Sequence, residues 1–497
     1  MAATASGLSP AARAAIPDKG LKRDAIGYVS NLVIAVASVA PGYSLAATLG
    51  LVVAVAGLQA PAVFIAAFVP MLLVAFAYRY FNRADPDAGT TFSWVTRAFG
   101  PSAGWVGGWA IVVADVVVMA NLAAIAGLYT FLLVGWDSAA ASTAAVTAVG
   151  VVWIVIMTAI CYIGIELNAR TQRWLLSAEV VILAIFAVWA LIKAAVTGPA
   201  GSVSPSLSWF SPFATASSSG FFDGVLLAVF IYWGWDSGVA VNEESRDRHH
   251  GPGKAAVVST LVLLGIYVVV SLAAQVYAGP KALIDHSDDV LSFLGGRVFP
   301  SPLDKALILA VLTSAAASTQ TTILPTARTT LSMARHGALP RILGRIHPRF
   351  KTPDVSTLAM GVASIAFYVA LTIVSQNVLA DSIVALGFLI AFYYGITGIA
   401  CAWYYRRALR RGWRAATLAV VAPLAGGVML FALFGKALVD YSKPENVTTS
   451  LWGIGTPVWI GVGSLVAGVI AMLVTRALLR TPFWRRRPEQ AHPELVL

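Results

Sequence analysis

Ser38-Val39-Ala40-Pro41-Gly42-Tyr43-Ser44 sits midway along an apolar run, Ala25 to Ala56, that is long enough to cross a bilayer. Proline has no N–H to offer the carbonyl of Ala37, and glycine adds backbone freedom, so the stretch predicts a helix broken at bilayer depth. A bare peptide group in hydrocarbon costs several kcal/mol, so such a break needs protein or a polar cavity around it. The outer half-helix would present N–H groups from Gly42 to Ser44, suited to a carboxylate. The inner half would present carbonyls near Ala37 and Ser38, suited to an ammonium. A proline kink with no ligand is the plainer alternative.

Composition sets the class. The 497 residues are 58% hydrophobic and 11% charged, with mean hydropathy +0.79, against roughly 25% charged in soluble domains. This is an all-α polytopic membrane protein. The first residues are polar and Ala-rich, with no secretory signal, and read as a cytoplasmic tail. Cys161 and Cys401 read as buried thiols rather than a disulfide.

Twelve apolar runs are long enough to span: Ala25–Ala56, Ala60–Phe81, Pro101–Leu133, Thr143–Ile163, Gln172–Val196, Gly220–Val241, Lys254–Ala278, Pro302–Ser332, Pro353–Val374, Ala380–Tyr405, Arg414–Val439 and Gly455–Leu479. With the N-terminus inside, all but six of the 34 Lys and Arg fall on inner segments; the six are Lys193, Lys281, Arg297, Lys305, Lys436 and Lys443. That bias predicts both termini in the cytoplasm. The net charge of +11 is then a topology signal facing anionic lipid, and argues against a nucleic-acid partner.

Amphipathic connectors are expected at Asp87–Pro101 and Ala282–Pro300, on opposite sides, and an irregular hairpin at Gly198–Ser219. Helix 6 carries a second candidate break, Phe230-Ile231-Tyr232-Trp233-Gly234-Trp235-Asp236-Ser237-Gly238. Two interrupted helices five apart, in opposite orientation, predict two inverted five-helix repeats, 25–200 and 201–412. Helices 11 and 12 (413–480) follow, between short cytoplasmic tails, 1–24 and 481–497.

Four segments carry a family likeness: AGTTFSWVTRAFGPSAGWVGGW (Ala88–Trp109), LNARTQRWLLSAEVVIL (Leu167–Leu183), WGWDSGVAVNEESRD (Trp233–Asp247) and RTTLSMARHGALPRILGRIHPRFKTP (Arg328–Pro353). On these the chain resembles the amino acid–polyamine–organocation superfamily over about Ala25 to Arg414. The resemblance implies a leucine-transporter-type 5+5 fold, secondary transport of amino acids or amines, and substrate held between helices 1, 3, 6 and 8. It also places Phe230 where relatives carry an aromatic gate. Two positions depart from the pattern. The glycine-rich helix 1 motif is here Ser38–Ser44, and a helix 5 lysine of some proton-driven relatives is here Glu179.

Candidate substrate contacts are therefore Ser38, Pro41, Gly42, Tyr43, Ser44, Asp115, Phe230, Trp233, Gly234 and Asp236. Acids inside a membrane are the sharpest of these, since each costs about 2.5–3.5 kcal/mol or more at mid-bilayer. Asp236 reads three ways: contact to an amine, cap of the inner half-helix, or proton carrier. Asp115 reads as an interhelical hydrogen bond or a cation site. Glu179 reads as a partner of Arg170, Arg173 or a backbone group, or as the coupling proton carrier. Ser314 and Ser318 share one face of helix 8 and read as sodium ligands or as interhelical bonds. Glu243 and Glu244 read as a gate or as a solvated pair with Arg246.

Six histidines, none mid-membrane beside an acid at helical spacing, argue against a membrane-embedded transferase. No paired-cysteine metal motif and no cofactor are implied. The tail after helix 12 is too short for the signalling domain of a sensor. The leading expectation is proton-coupled uptake of an amino acid at the plasma membrane, with sodium less favoured. A cationic amine, polyamine or basic amino acid is the second.

Overall fold

A computed structural model describes residues 18–214, 218–287, 289–374, 378–447 and 449–489. The first apolar run is divided into α1 (Tyr28–Val39) and α2 (Pro41–Ala56) by one left-handed residue, Ala40. Then come α3 (Ala60–Ala84), the short α4 (Thr91–Phe99), α5 (Pro101–Val134), α6 (Thr143–Ile163) and α7 (Ile165–Thr197). The second half begins with α8 (Ser218–Phe230), an irregular stretch and α9 (Ser237–Ala240). It continues through α10 (Gly251–Asp285), α11 (Val290–Val298), α12 (Ala306–Arg335), α13 (Asp354–Val374) and α14 (Val378–Tyr404). The chain closes with α15 (Ala422–Tyr441) and α16 (Thr456–Leu479).

Among the described residues, ten segments are long and apolar enough to cross a membrane. The first of them, Tyr28–Ala84, contains α1, α2 and α3, and a shorter apolar helix occupies Gly220–Phe230. The protein is an all-α polytopic membrane protein. Large apolar side chains stand exposed along α6 (Val152, Val155, Ile156) and α7 (Val181, Ile185, Val188). A face like that belongs against lipid. α12 is buried along most of its length and packs on α5, α7, α1 and α2, so its hydroxyl-rich faces look into the bundle.

Local chemistry fixes the boundaries. α4 ends where Gly100 takes φ +95 and Pro101 opens α5 at its first position. α7 starts at Ile165 rather than Gln172, because the polar turn Glu166–Thr171 contains no breaker and the helix runs back to Gly164. The connector 198–214 carries two 3-10 turns, Leu207–Phe210 and Pro212–Ala214, rather than paired strands. A small hairpin unread in the sequence pairs Ser450–Leu451 with Ile454–Gly455 across Trp452-Gly453. Cys161 and Cys401 are both buried free thiols. Pro423 cannot donate to the carbonyl of Ala419 four residues back, and the Cys401 thiol donates to that oxygen instead, at 3.5 Å.

Glycines set the contact of α5 with α6. A Cβ at Gly127 would lie 2.3 Å from the Val146 carbonyl, and one at Gly150 would lie 2.6 Å from that of Ala123. Gly127→Leu should therefore cost about 1–3 kcal/mol by overpacking. Gly265→Leu, on a face with nothing within 4 Å, should leave the thermal midpoint of the detergent-solubilised protein close to wild type.

Candidate functional site

Around the break between α1 and α2, six peptide N–H and carbonyl groups are held by the protein itself. On the α1 side the Ala40 N–H returns to the Ala37 carbonyl at 3.1 Å. The Ser318 hydroxyl donates to the Ser38 carbonyl at 2.7 Å, and the Ser44 hydroxyl to that of Val39 at 2.8 Å. On the α2 side the Gly42 N–H donates to Glu179 Oε1 at 2.6 Å. The Tyr43 N–H donates to the Ser314 hydroxyl at 3.1 Å, and the Ser44 N–H to the Ala40 carbonyl at 2.8 Å. The Ser314 hydroxyl itself donates to the same Glu179 oxygen at 2.8 Å. The sequence left these groups for a solute; in this conformation a carboxylate and three hydroxyls hold most of them.

Proline and glycine fit this work. Pro41, first in α2, has no N–H to satisfy. A Cβ at Gly42 would come within 3.3 Å of Glu179 Oε1, so glycine lets the carboxylate approach. Glu179 comes from α7, and neither Arg170 nor Arg173 pairs with it among the described residues. Its second oxygen, Oε2, is buried without a hydrogen-bond partner, and so is the Tyr43 hydroxyl.

The second break runs from Ile231 to Asp236, with Gly234 at φ +110. Three tyrosine hydroxyls attend it. Tyr267 donates to the Ile231 carbonyl, Tyr394 accepts from the Gly234 N–H at 3.4 Å, and Tyr393 accepts from the Trp233 indole. Tyr394 also donates to Asp236 Oδ1 at 2.7 Å and Tyr393 to Oδ2 at 3.4 Å. Asp236 stands at the cap position of α9, yet its side chain makes no capping bond, so the capping alternative does not describe it. Phe230 meets the ring of Tyr43 edge-on at 6.2 Å.

The two breaks touch. The Ser38 and Ser237 hydroxyls are 2.7 Å apart, and Gly234 lies so close that a Cβ there would sit 2.9 Å from the Ser38 carbonyl. Further along, Asn31 donates to the Gly238 carbonyl at 3.0 Å and to the Ser245 hydroxyl at 2.9 Å. Ser38, Gly42, Tyr43, Ser44, Glu179, Gly234, Ser314 and Ser318 thus share one junction. Asp115 does not join it. Its Oδ2 accepts from the Thr326 hydroxyl at 2.5 Å, twelve residues along α12 from Ser314 and so about 18 Å away along that axis.

At the basic end of the bundle, Lys19 is buried and bridges Glu243 at 2.5 Å and Asp87 at 2.8 Å. Asp87 also accepts from Ser332 at 2.7 Å and meets His336 at 3.1 Å. Glu244 forms a two-pronged pair with Arg328 at 2.6 and 2.9 Å. The expected partner Arg246 instead reaches the Asp24 carbonyl. Burial works against each charge, but Lys19 and His336 hold Asp87 well below the usual carboxylate range. Burial wins at Glu243, which is raised although Lys19 opposes the shift. Lys19 is raised by both acids over its own burial. Asp87 is thus the ionised anchor of this latch. Sequence reasoning missed Lys19, Asp87, Tyr393 and Tyr394. Arg328 was findable, as a cation inside a predicted span needs a partner.

A family model described as amino acid permease matches residues 26–474. Among similar proteins, a methylthioribose transporter of Bacillus subtilis is 25% identical over 81% of this chain and 84% of its own. A low-affinity putrescine importer of Escherichia coli is 21% identical over 82% and 86%. An uncharacterised transporter of Mycobacterium tuberculosis is 27% identical over 56% of this chain, which spans only 58% of that relative's length.

Gly234→Ala should destabilise by about 2 kcal/mol or more, because it adds left-handed strain to the contact with Ser38; thermal unfolding in detergent checks this. Lys19→Met leaves two buried acids without their cation, at a cost of about 3 kcal/mol. The depressed Asp87 contributes above the usual carboxylate value of 3.8 and loses its contribution as pH falls through its lower folded value. The raised Lys19 contributes fully below 10.5 and loses its contribution as pH climbs through its higher folded value. The gap between wild type and Lys19→Met should therefore be widest near neutral pH, shrink as pH climbs above about 10.5 and Lys19 loses its proton, and shrink again in acid as Asp87 and Glu243 take theirs.

Proposed function

Because the chain belongs to the amino acid permease family, we propose that it is a secondary active transporter. It moves a small amine-bearing solute, an amino acid or an amine, by alternating access at the plasma membrane. In this reading the bundle crosses twelve times, as two inverted five-helix units plus α15 and α16, with both termini in the cytoplasm. The positive-inside bias and the two facing breaks support that arrangement. The solute binds where the breaks meet, near Ser38, Pro41–Ser44, Phe230, Trp233, Gly234 and Asp236, with Asp115 on the path inward.

The observation that carries the reading is the Glu179 carboxylate clasped by the Gly42 N–H and the Ser314 hydroxyl. One group ties α7 to the start of α2 and to α12, and it can gain or lose a proton. Protonation weakens its grip on the N–H, since a charged acceptor makes the stronger hydrogen bond. Proton binding thereby loosens α2 from α7 and α12, which couples the proton to rearrangement. Sodium is the less favoured ion, because Ser314 and Ser318 both donate to protein oxygens here.

Relatives named for methylthioribose and putrescine leave the solute open, so the test uses a panel. Purified protein in liposomes should accumulate a radiolabelled amino acid or amine at least tenfold under an inward proton gradient, and not under a sodium gradient alone. Glu179→Gln should abolish the response to the gradient while retaining exchange of internal for external solute. Accumulation driven by sodium with no response to pH would defeat the proton assignment.

A further inference from the structure

Whether the solute carries a carboxylate is legible at the same junction, given the transport reading above. A helix N-terminus in a membrane interior is a seat for an anion. At the start of α2 that seat is filled from within. Glu179 Oε1 takes the Gly42 N–H at 2.6 Å. Ser314 takes the Tyr43 N–H at 3.1 Å, and the Ala40 carbonyl takes that of Ser44 at 2.8 Å. Pro41 has none to give. A solute carboxylate arriving here finds no donor among the α2 first-turn amides.

What Glu179 still offers is acceptor capacity. Glu179 Oε2 is fully buried and has no hydrogen-bond partner, and the Tyr43 hydroxyl is likewise buried and unmatched. No lysine or arginine forms an ion pair with Glu179, Asp236 or Asp115 among the described residues. Ammonium groups supply what such oxygens lack: three donors and a positive charge. The next acids inward, Asp236 on the second break and Asp115 beside Thr326, extend the row of acceptor oxygens toward the basic end. An anionic group would meet only further acceptors along that route, whereas an amine would find partners for its donors.

We infer that Glu179 is a built-in substitute for a substrate carboxylate, so that the site selects cationic amines that lack one. Glu179 is then the residue that sets specificity: it fills the Gly42 seat with one oxygen and faces the ammonium with the other. The choice of solute follows from an occupied seat rather than from an added pocket.

Matched pairs that differ only by a carboxylate test this directly. Putrescine against ornithine and ethanolamine against serine are titrated onto the full-length protein in nanodiscs, followed by ligand-induced thermal stabilisation and by competition for radiolabelled binding. Wild type should bind each amine at least tenfold tighter than its amino acid. Glu179→Ala vacates the seat and should narrow or reverse that ratio by a gain of amino-acid binding. Glu179→Gln keeps an oxygen on the Gly42 N–H but removes the charge; it should weaken the amines at least fivefold while amino acids stay excluded. Should Glu179→Ala prove unstable, the Glu179→Gln result carries the test. Amino acids preferred by wild type, or admitted by Glu179→Gln, would overturn the inference and leave the transport reading standing. Binding of neither member of any pair would overturn both.

Discussion

A peptide group inside a membrane cannot be left bare, and the arrangement of this bundle answers that constraint at two places. Each break frees backbone donors and acceptors where no bulk water can reach them. Side chains from α7, α10, α12 and α14 come to those groups, and that requirement fixes where the helices stand. Ser314 and Ser318 lie one turn apart on α12 because the two halves of the first broken helix need one hydroxyl each. The tyrosines of α10 and α14 stand over the second break for the same reason.

Charge is distributed on a different principle. The pairs Lys19–Asp87, Lys19–Glu243 and Arg328–Glu244 gather at the basic end, where the segment around Lys19 meets α12 and the residues after α9. Residues near position 485 pack there too. Arg486 reaches His336 at 3.2 Å, and Phe483 stacks on Phe92. Buried ion pairs add little net stability but are costly to break from one side, so they favour one arrangement over its neighbours. Glu179, Asp115 and Asp236, by contrast, are met by hydroxyls and amides. Groups held that way can change protonation without stranding a buried cation.

Much of this was legible in the residues. Pro41-Gly42 and Gly234 announced the two interruptions, because proline and glycine act on the backbone locally and need no knowledge of the fold. The short helix before Gly100-Pro101 was readable for the same reason. Partners were not. Nothing in the spacing of Tyr393 and Tyr394 on α14 says that their hydroxyls meet Asp236, and Lys19 lies in a polar segment that reads as solvated tail. Glu243 pairs across 224 residues of sequence, a separation no periodicity encodes. The sequence showed which peptide groups would be released, while only the packed structure showed that Glu179 and the serines hold them in this conformation.

The inner portions of the two broken helices are stitched at every level. Ser38 meets Ser237, Asn31 meets Gly238 and Ser245, and Ile26 pairs with Ser245 as a parallel bridge. Arg246 N–H reaches the Ile26 carbonyl at 2.9 Å. Two rods sewn together along their length pivot as a single lever, with the left-handed turns at Ala40 and Gly234 as its fulcrum. On the transport reading, a motion of one would carry the other with it.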